Sequence, residues 1–431
     1  MSLAFTLCLL VLFALAAIGT PIAHSIIVGA LVYLLVKGQD MGIAAEQIVY
    51  GLYDSFVLLA VPLFIVAANI MNAGAISDRL LTFCVALVGR FKGGLGHVNV
   101  VASLIFSGMS GSAVADAAGI GKVIIEMMTK DGRYSRGYAA AITAASATIG
   151  PIIPPSIPMV LYALVSDSSI GYLFLGGILP GLLMGAVLMP MNSYISHKRG
   201  FGADKVVPLR EIPALTARAF PALLMPVILL YGIYGGATTP TEAAAVAAAY
   251  ALVLAGVFYR ALSLKTLRTV MLDSVKSSAS VGLVIGGALI LNYIVASENI
   301  PKLLADAMLG MQISPLAFML GVNVLLLLLG CILDASTIIL VIVPLFVVAA
   351  RALGIDLVHF GVVVVVNCMI GLITPPYGIL LFVINATTGI PLIEMIREIG
   401  PFLVALLIAL ALLIFFPSIV LWLPMMFGYA G

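Results

Sequence analysis

A proline-rich interruption within an apolar stretch constrains the fold of this chain more than any other feature. Residues 144–161 read A-A-S-A-T-I-G-P-I-I-P-P-S-I-P-M-V-L, and apolar runs flank them on both sides, which predicts a membrane-spanning segment. Proline removes a backbone donor and clashes with the preceding helical turn. The helix must therefore stop inside the membrane and restart. Bare backbone groups in hydrocarbon are costly, so protein, water or a bound ion must satisfy them there.

A second interruption of the same type lies in the other half of the chain, at Gly371–Tyr377 (G-L-I-T-P-P-Y). Two interrupted spans at matching places are typical of the binding site of a secondary transporter. The composition agrees, because 63% of the 431 residues are hydrophobic and only 9% are charged, whereas about a quarter of a soluble domain is charged. An outer-membrane barrel would instead show alternating segments of about ten residues. We therefore predict an all-α polytopic membrane protein.

Other protein classes find little support in the sequence. The formal net charge is +2, and we expect the basic residues to orient the chain in the membrane rather than to bind nucleic acid. The four cysteines show no metal spacing and are expected to pack as small hydrophobes: Cys8, Cys84, Cys331 and Cys368. The N-terminus lacks the basic region of a signal peptide, so we expect a retained first span. The motif G-x-x-x-x-G-K-[ST] is absent, so ATP hydrolysis is unsupported.

The first half is predicted to contain a re-entrant hairpin at 98–128 and a broken span at 137–165. The hairpin tip is expected at Phe106–Asp116, where small and hydroxyl residues interrupt the apolar run. Before these come two apolar helices at 3–19 and 22–36 (or one helix kinked at Pro21), an amphipathic surface helix at 40–55 and a span at 56–73. One further crossing follows at 172–196.

The second half is predicted to repeat this order with a period of roughly 220 residues. A hairpin at 316–350, with its tip at Gly330–Thr337, precedes a broken span at 358–388. G-T-P-I-A-H at Gly19–His24 matches A-T-T-P-T-E at Ala237–Glu242. The other elements are spans and a second surface helix, expected at residues 217–234, 240–260, 262–278, 279–297 and 400–424. An odd number of crossings separates equivalent points, so the two repeats are inverted relative to each other.

The distribution of lysine and arginine predicts the topology. Their excess places the segments 79–97, 129–136, 197–216 and 260–278 in the cytoplasm. The third of these segments carries Lys198, Arg199, Lys205 and Arg210. The first hairpin then opens from the cytoplasm and the second from the outside. Inverted repeats place a site at the bilayer midplane and permit the two mirror-related states that alternating access requires.

Five motifs follow one another along almost the whole chain: L-A-V-P-L-F-I-V-A (Leu59–Ala67), S-G-S-A-V-A-D (Ser110–Asp116), I-G-P-I-I-P-P-S (Ile149–Ser156), A-T-T-P-T-E-A-A-A-V (Ala237–Val246) and I-G-L-I-T-P-P-Y-G (Ile370–Gly378). In these motifs the chain resembles the large membrane subunit of tripartite ATP-independent periplasmic (TRAP) transporters. The resemblance implies an elevator fold similar to the ion transporter superfamily. It also implies sodium-driven import of a small organic acid, either a carboxylate or a sugar acid, across the bacterial inner membrane.

In that family a small membrane subunit and a soluble periplasmic binding protein complete the system, and a mobile transport domain slides against a scaffold. We expect the small subunit to be a separate chain here, Na⁺ to be the coupling ion, lipid to surround the spans, and no organic cofactor or enzymatic activity. The scaffold is predicted at residues 1–92 and 217–312, and the transport domain at 97–170 and 315–390. A connecting span with its loop is predicted at 171–216, and a C-terminal span at 391–431.

Unwound backbone carbonyls and hydroxyl groups suit sodium, a hard cation, without burying a formal charge. In the first half the candidate ligands are Ser110, Ser112, Gly150, Ile152 and Pro155. By pseudo-symmetry, those in the second half are Gly330, Asp334, Ser336, Thr337, Gly371 and Thr374. The alternative is that the small residues only allow close helix packing and that the prolines only kink the helices.

Two acids and two further polar residues lie at the predicted site. We expect Asp334 either to neutralise a sodium ion or to cap the helix that follows it, and Asp116 to cap a helix or to pair with Lys122. Ser156 and Tyr377 lie at the helix starts after the two breaks and are candidate substrate contacts.

Some motifs have a simpler structural interpretation, and two other functions are possible for the chain as a whole. Thr239–Glu242 is expected to be a capping box, the histidines to be solvated or interfacial, and Trp422 to be an interfacial anchor. The stretch Gly108–Gly111 matches the G-x-S-G of intramembrane serine proteases, but those proteases lack an inverted repeat. A nearer alternative is a stand-alone sodium/dicarboxylate symporter.

Overall fold

The structure is a computed structural model that describes residues 2–73, 76–130, 132–203, 207–208 and 210–431. Lys205 of the predicted cytoplasmic loop therefore lies outside the described residues. Within them, helices make up the regular structure, and extended pairing is limited to an isolated bridge between Lys92 and Ala203. Seven of the described helices are long and apolar enough to cross a membrane. This confirms the predicted all-α polytopic class, in which each helix satisfies its own backbone groups.

The helices of the first half follow the predicted order. They are α1 (Leu3–Ala17), α2 (Ile22–Lys37), α3 (Gly42–Asp54), α4 (Ala60–Ala73), α5 (Ile76–Val88), α6 (Gly94–Ser110), α7 (Ala113–Asp116), α8 (Lys122–Thr129), α9 (Arg136–Ala147), α10 (Ile157–Ser166) and α11 (Ile170–Arg199). A 3₁₀ turn, Phe56–Leu59, leads into α4, and a π-helical segment, Ala117–Gly121, joins α7 to α8.

The helices of the second half repeat this order. They are α12 (Ile212–Tyr234), α13 (Pro240–Val253), α14 (Leu264–Ser297), α15 (Ile300–Gly310), α16 (Pro315–Gly330), α17 (Ala335–Thr337), α18 (Val343–Ala352), α19 (Leu357–Gly371), α20 (Ile379–Thr388), α21 (Leu392–Phe415) and α22 (Ser418–Met426). A π-helical segment, Ile338–Ile342, joins α17 to α18 at the position that matches Ala117–Gly121.

The N-terminal apolar segment forms two packed helices rather than one kinked helix. Gly19 takes a left-handed conformation (φ +89°) after α1, and Pro21 occupies the position immediately before α2. At the matching point of the second repeat, Thr239 and Glu242 form the predicted capping box. The Glu242 amide donates to Thr239 Oγ1 at 3.3 Å, and the Thr239 amide donates to Glu242 Oε2 at 2.7 Å.

Two predicted boundaries were wrong. The second surface helix and the span after it form one helix, α14, of 34 residues, about 51 Å long at 1.5 Å per residue. Helices α5 and α15 occupy stretches where we predicted no span, and neither is among the described helices that are long and apolar enough to cross a membrane. The last predicted span, 400–424, is two helices that separate at Pro417, because the residue before a proline is pushed out of helical geometry.

The first halves of the two broken spans lie at the centre of the molecule. Every residue of Gly137–Ala147 in α9 and of Val358–Gly371 in α19 is buried. Helix α9 packs against α6, α8 and α21, and α19 packs against α16, α11 and α21. The first break is also buried except at Ile153, whereas Pro376 and Tyr377 of the second break are exposed on this chain. A separate hydrophobic cluster joins α1, α2 and the end of α14.

Candidate functional site

The first hairpin turns at Gly111, between α6 and α7. Gly111 has φ +58°, and a Cβ atom placed there would lie 2.5 Å from the carbonyl oxygen of Pro155. Only glycine therefore allows this turn to approach the break so closely. Ser112 caps α7 by accepting a hydrogen bond from the amide of Ala115 at 3.3 Å. The hairpin tip consequently lies directly on the first proline pair.

The first break separates α9 from α10 and contains a cis peptide bond between Pro154 and Pro155. Among the described residues, the carbonyl oxygens of Gly150, Ile152 and Pro155 accept no backbone hydrogen bond. The Pro155 carbonyl faces the hairpin tip. The Ile152 carbonyl faces α11, because a Cβ atom placed on Gly177 would lie 2.2 Å from it. Buried carbonyls without donors are suitable ligands for a hard cation.

The second hairpin is tied to the second break by contact between backbones. A Cβ atom on Gly371 would lie 2.8 Å from the Cα atom of Gly330, so both positions require glycine. The Thr374 hydroxyl donates to the Ile370 carbonyl at 2.8 Å, and the Thr374 amide donates to the Gly371 carbonyl at 3.0 Å. This break also contains a cis peptide bond, between Pro375 and Pro376.

Asp334 caps the return arm of the second hairpin. Its carboxylate accepts a hydrogen bond from the Thr337 amide at 3.1 Å and another from the Thr337 hydroxyl. The capping alternative is therefore correct. Each carboxylate oxygen has a second lone pair, so capping leaves capacity for a cation, and Asp334 lines the cavity described next.

One cavity of about 430 Å³ brings the two hairpin tips together. From the tips it is lined by Ser110–Ala115 and by Asp334–Ser336. The opposite wall comes from α4 and α14, including Asn69 and Ser277. The described residues that line this cavity include no lysine or arginine. A larger cavity of about 650 Å³ lies between the α10–α11 and α12–α13 junctions. We take the smaller one as the candidate site because it is the one of these two that both hairpin tips line.

The two predicted substrate contacts do not line this cavity. Ser156 is fully buried, and its hydroxyl both donates to the Pro151 carbonyl and accepts from the Met159 amide, so it caps α10. Tyr377 is 55% exposed and packs its ring against Phe382, with ring centroids 5.0 Å apart. The structure therefore gives these two residues local structural roles at the breaks.

Asp116 does not have the role that the sequence suggested. It is the last residue of α7 rather than a cap, because Ser112 caps that helix. Lys122 lies 4.0 Å from Glu126, its ion-pair partner. Asp116 is instead 2% exposed, and among the described residues only the Ser110 hydroxyl interacts with its carboxylate, outside strict hydrogen-bond geometry. The position of this side chain next to Gly150 could be found only from the tertiary structure.

His97 is buried rather than solvated, and its Nε2 atom lies 3.2 Å from the Ser193 hydroxyl. In the part of the chain that the structure describes, no three His, Cys, Asp or Glu side chains are grouped so that they could hold a metal ion. A cation at the breaks would therefore depend on carbonyl and hydroxyl oxygens, with one carboxylate at most.

Two hairpins that meet two broken helices in a duplicated chain are the geometry of a membrane carrier. A sequence profile described as "Tripartite ATP-independent periplasmic transporter, DctM component" matches residues 9–419. The chain belongs to this family. It is therefore a large permease subunit of a TRAP transporter in the bacterial inner membrane, and a transporter rather than an enzyme. The intramembrane protease reading of Gly108–Gly111 is thereby rejected.

Curated relatives support this assignment over nearly the whole length. The sialic acid TRAP transporter large permease protein SiaM of Vibrio cholerae is 44% identical over 413 residues, which cover 95% of this chain and 96% of SiaM. The C4-dicarboxylate TRAP transporter large permease protein DctM of Pseudomonas aeruginosa is 39% identical and covers 93% of each chain. The sialic acid TRAP transporter permease protein SiaT of Haemophilus influenzae is 37% identical, over 96% of this chain and 67% of SiaT.

The fold has a counterpart among solved structures. The crystal structure of the Alcanivorax borkumensis YdaH transporter, described as having an unusual topology, superposes with a TM-score of 0.61. The match covers 89% of this chain and 87% of YdaH at 15% sequence identity. At this identity the likeness concerns the fold alone.

Proposed function

We propose that this TRAP permease imports a small organic acid together with sodium by an elevator movement, after a periplasmic binding protein delivers the substrate. The observation that carries this proposal is the single cavity where both hairpin tips meet both breaks. A site built from both repeats can face either side of the membrane when one part of the protein moves against the other.

Sodium as the coupling ion is supported by the chemistry of the breaks. Carbonyls without donors at Gly150 and Pro155 lie beside the first tip, and a carboxylate with spare lone pairs lies at the second. These oxygens fit a hard monovalent cation. One sodium ion would be held at the first break, by Gly150, Pro155, Ser110 and Ser112. A second sodium ion would be held at the second break, by Asp334, Gly330, Thr374 and their neighbours. The sodium gradient would supply the driving force for uptake.

An elevator movement is supported by the position of the cavity relative to the scaffold. Asn69 lies near the end of α4 that leads to the predicted cytoplasmic segment 79–97, and Ser277 lies at the border of the segment 260–278. Asn69 Nδ2 donates to Ser274 Oγ at 2.9 Å and ties these two scaffold helices together. With the topology that the lysine and arginine distribution predicts, the cavity would lie near the cytoplasmic ends of these two helices, which is what an inward-facing state would require.

The substrate class follows from the relatives and from the cavity. The relatives are named for sialic acid, C4-dicarboxylates and 2,3-diketo-L-gulonate, which are all carboxylates. The cavity offers no lysine or arginine, so the charge of the substrate would be met by bound sodium and by the helix N-termini after the tips. The partners would be a separate small membrane subunit and a soluble binding protein.

Reconstitution tests this proposal. Proteoliposomes would contain this chain alone, or this chain with a small subunit, and would be assayed with and without a binding protein from the same genome. Labelled sialic acid and a labelled C4-dicarboxylate would be supplied under an inward sodium or potassium gradient. We expect uptake only with all three components and sodium. Uptake by the chain alone would instead identify a stand-alone symporter, and uptake that is equal in potassium would refute sodium coupling.

A further inference from the structure

Asp116 is a buried acid that the hairpin and cavity described above do not use. It ends α7, one helical turn after the cap Ser112, and it is 2% exposed. Among the described residues, no donor meets hydrogen-bond geometry at either carboxylate oxygen, and the Ser110 hydroxyl lies close enough to interact with the carboxylate. The side chain is directed at the first break, because a Cβ atom placed on Gly150 would lie 2.3 Å from Asp116 Oδ2.

A buried carboxyl group in this environment either holds a proton or acquires a positive partner. Burial of an unpaired ionised group within a membrane protein is costly, so such groups are paired or functional. The basic residue nearest in sequence, Lys122, is placed against Glu126. The Asp116 carboxylate instead lies against Gly150 of the first break, and the Gly150 and Pro155 carbonyls of that break accept no backbone hydrogen bond. Among the described residues, no lysine or arginine forms an ion pair with Asp116.

The two repeats differ at this point in an informative way. The return arm of each hairpin begins with a capping residue, Ser112 in the first repeat and Asp334 in the second. Four residues later stand Asp116 and Ile338, respectively. Each repeat therefore carries one carboxylate within one helical turn of its tip, although at different positions. A comparison limited to the position of Asp334 would have found no acid in the first repeat, because the matching residue there is Ser112.

We propose that the Asp116 carboxylate is the anionic ligand of the first sodium site, an inference that rests on the sodium coupling proposed above. Asp116 and Asp334 then balance one sodium ion each, and the loaded transport domain moves without net charge from these four groups. The geometry also gives a reason for glycine at 150. Any side chain at this position would occupy the place of Asp116 Oδ2 and would displace the ligand.

The test measures sodium binding without transport. The purified protein is unfolded thermally in increasing NaCl, with KCl added to hold the ionic strength constant, since an ion that binds only the folded state raises Tm. We expect Asp116→Asn to raise the sodium concentration for half-maximal stabilisation by about tenfold or more, the usual effect of losing a charged ligand. Gly150→Ala is expected to have a similar effect while it retains the carboxylate.

Matched controls separate the outcomes. Gly321→Ala adds a methyl group where no atom lies within 4 Å, so its sodium dependence should equal that of the wild type. If folded Asp116→Asn keeps the wild-type sodium dependence, the inference is overturned, whereas the coupling proposal stands. If that variant does not fold, an unchanged sodium dependence in Gly150→Ala overturns the inference. If the wild-type protein itself shows no sodium-dependent stabilisation, the proposed sodium coupling fails and the inference fails with it.

Discussion

The side-chain amide of Asn367 donates hydrogen bonds to both the backbone and the side-chain oxygen of Asn323, each at 2.8 Å. This pair fixes the first arm of the second hairpin to the broken helix that lies 44 residues further along. The first repeat has a counterpart at the same separation, where the Asn99 amide donates to the Thr143 hydroxyl and Ser146 donates back to Asn99. Each repeat thus uses a buried asparagine to hold its hairpin in register with its break.

Asn367→Ala should destabilise the protein by about 1–3 kcal/mol, because it leaves buried oxygens of Asn323 without a donor. The measurement is Tm in detergent, with Asn323→Ala and the double variant Asn323→Ala/Asn367→Ala completing a mutant cycle. We expect the double variant to lose less than the sum of the single variants, since paired polar groups that are removed together leave no orphan. Strictly additive losses would show that the pair does not act as a unit.

Asp334 has two roles that one pair of substitutions can separate. Asn is as good a helix cap as Asp, so Asp334→Asn should preserve the α17 cap and the fold while it removes the charge that sodium needs. Asp334→Ala removes the helix cap as well as the charge, so it should abolish uptake and also lower Tm. Uptake in proteoliposomes and Tm are measured for both variants, with the exposed Asp273→Asn as the control. Normal sodium-dependent uptake by Asp334→Asn would contradict the second site.

Movement of the hairpins against the scaffold can be blocked by a cross-link. A Cβ atom placed on Gly119, beside the first hairpin tip, would lie 3.8 Å from Asn72 Cγ on α4. Oxidation of Gly119→Cys with Asn72→Cys, in a background without the native cysteines, should therefore stop uptake, and a reductant should restore it. The pair Gly51→Cys and Leu289→Cys is a control, because both positions belong to the predicted scaffold. Undiminished uptake by a fully cross-linked Gly119–Asn72 pair would exclude the elevator.

Glu298 joins the N-terminal helices to the end of α14. It accepts hydrogen bonds from Lys37 Nζ at 2.8 Å, from Tyr33 at 2.9 Å, and from the hydroxyl and the amide of Ser2. The bonds from Lys37 and then Ser2 lower the pKa of Glu298 to about 2. A lowered pKa means that the stabilisation is complete above the unfolded pKa and is lost as the pH falls towards the folded one.

The Tm difference between wild type and Glu298→Gln should therefore be constant from about pH 8 to pH 5 and should shrink below about pH 4.5. The comparison is made by thermal unfolding in buffers of matched ionic strength. A wild-type advantage that disappears near neutral pH would be inconsistent with this cluster.

The sequence predicted the features that rest on local chemistry. Pro154–Pro155, Pro375–Pro376 and the glycines around them predicted both breaks and both hairpin tips, because proline and glycine act on the backbone wherever they occur. The capping box at Thr239 followed for the same reason. Pro417 carried an equally local signal for the end of α21, which our prediction of one span missed.

The remaining features depend on contacts between distant residues. Basic residues in 262–278 suggested a surface helix, yet neither proline nor glycine interrupts the chain between Leu264 and Val281, so α14 continues unbroken. The position of Asp116 next to Gly150 could not be predicted, because only the packing of α9 against the hairpin brings these two residues together. For Asp334, the sequence left open a cap and an ion ligand, and the contact with Thr337 establishes the cap without testing the ion ligand.

The central claim is that sodium enters at two mirrored breaks and drives the uptake of an organic acid. The most direct measurement is the initial rate of substrate uptake by the complete system in proteoliposomes as external sodium is varied at constant ionic strength and membrane potential. We predict a sigmoidal rise, since at least two ions must bind, and a loss of accumulation when the sodium gradient is dissipated. A rate that is unchanged when potassium replaces sodium would contradict the account.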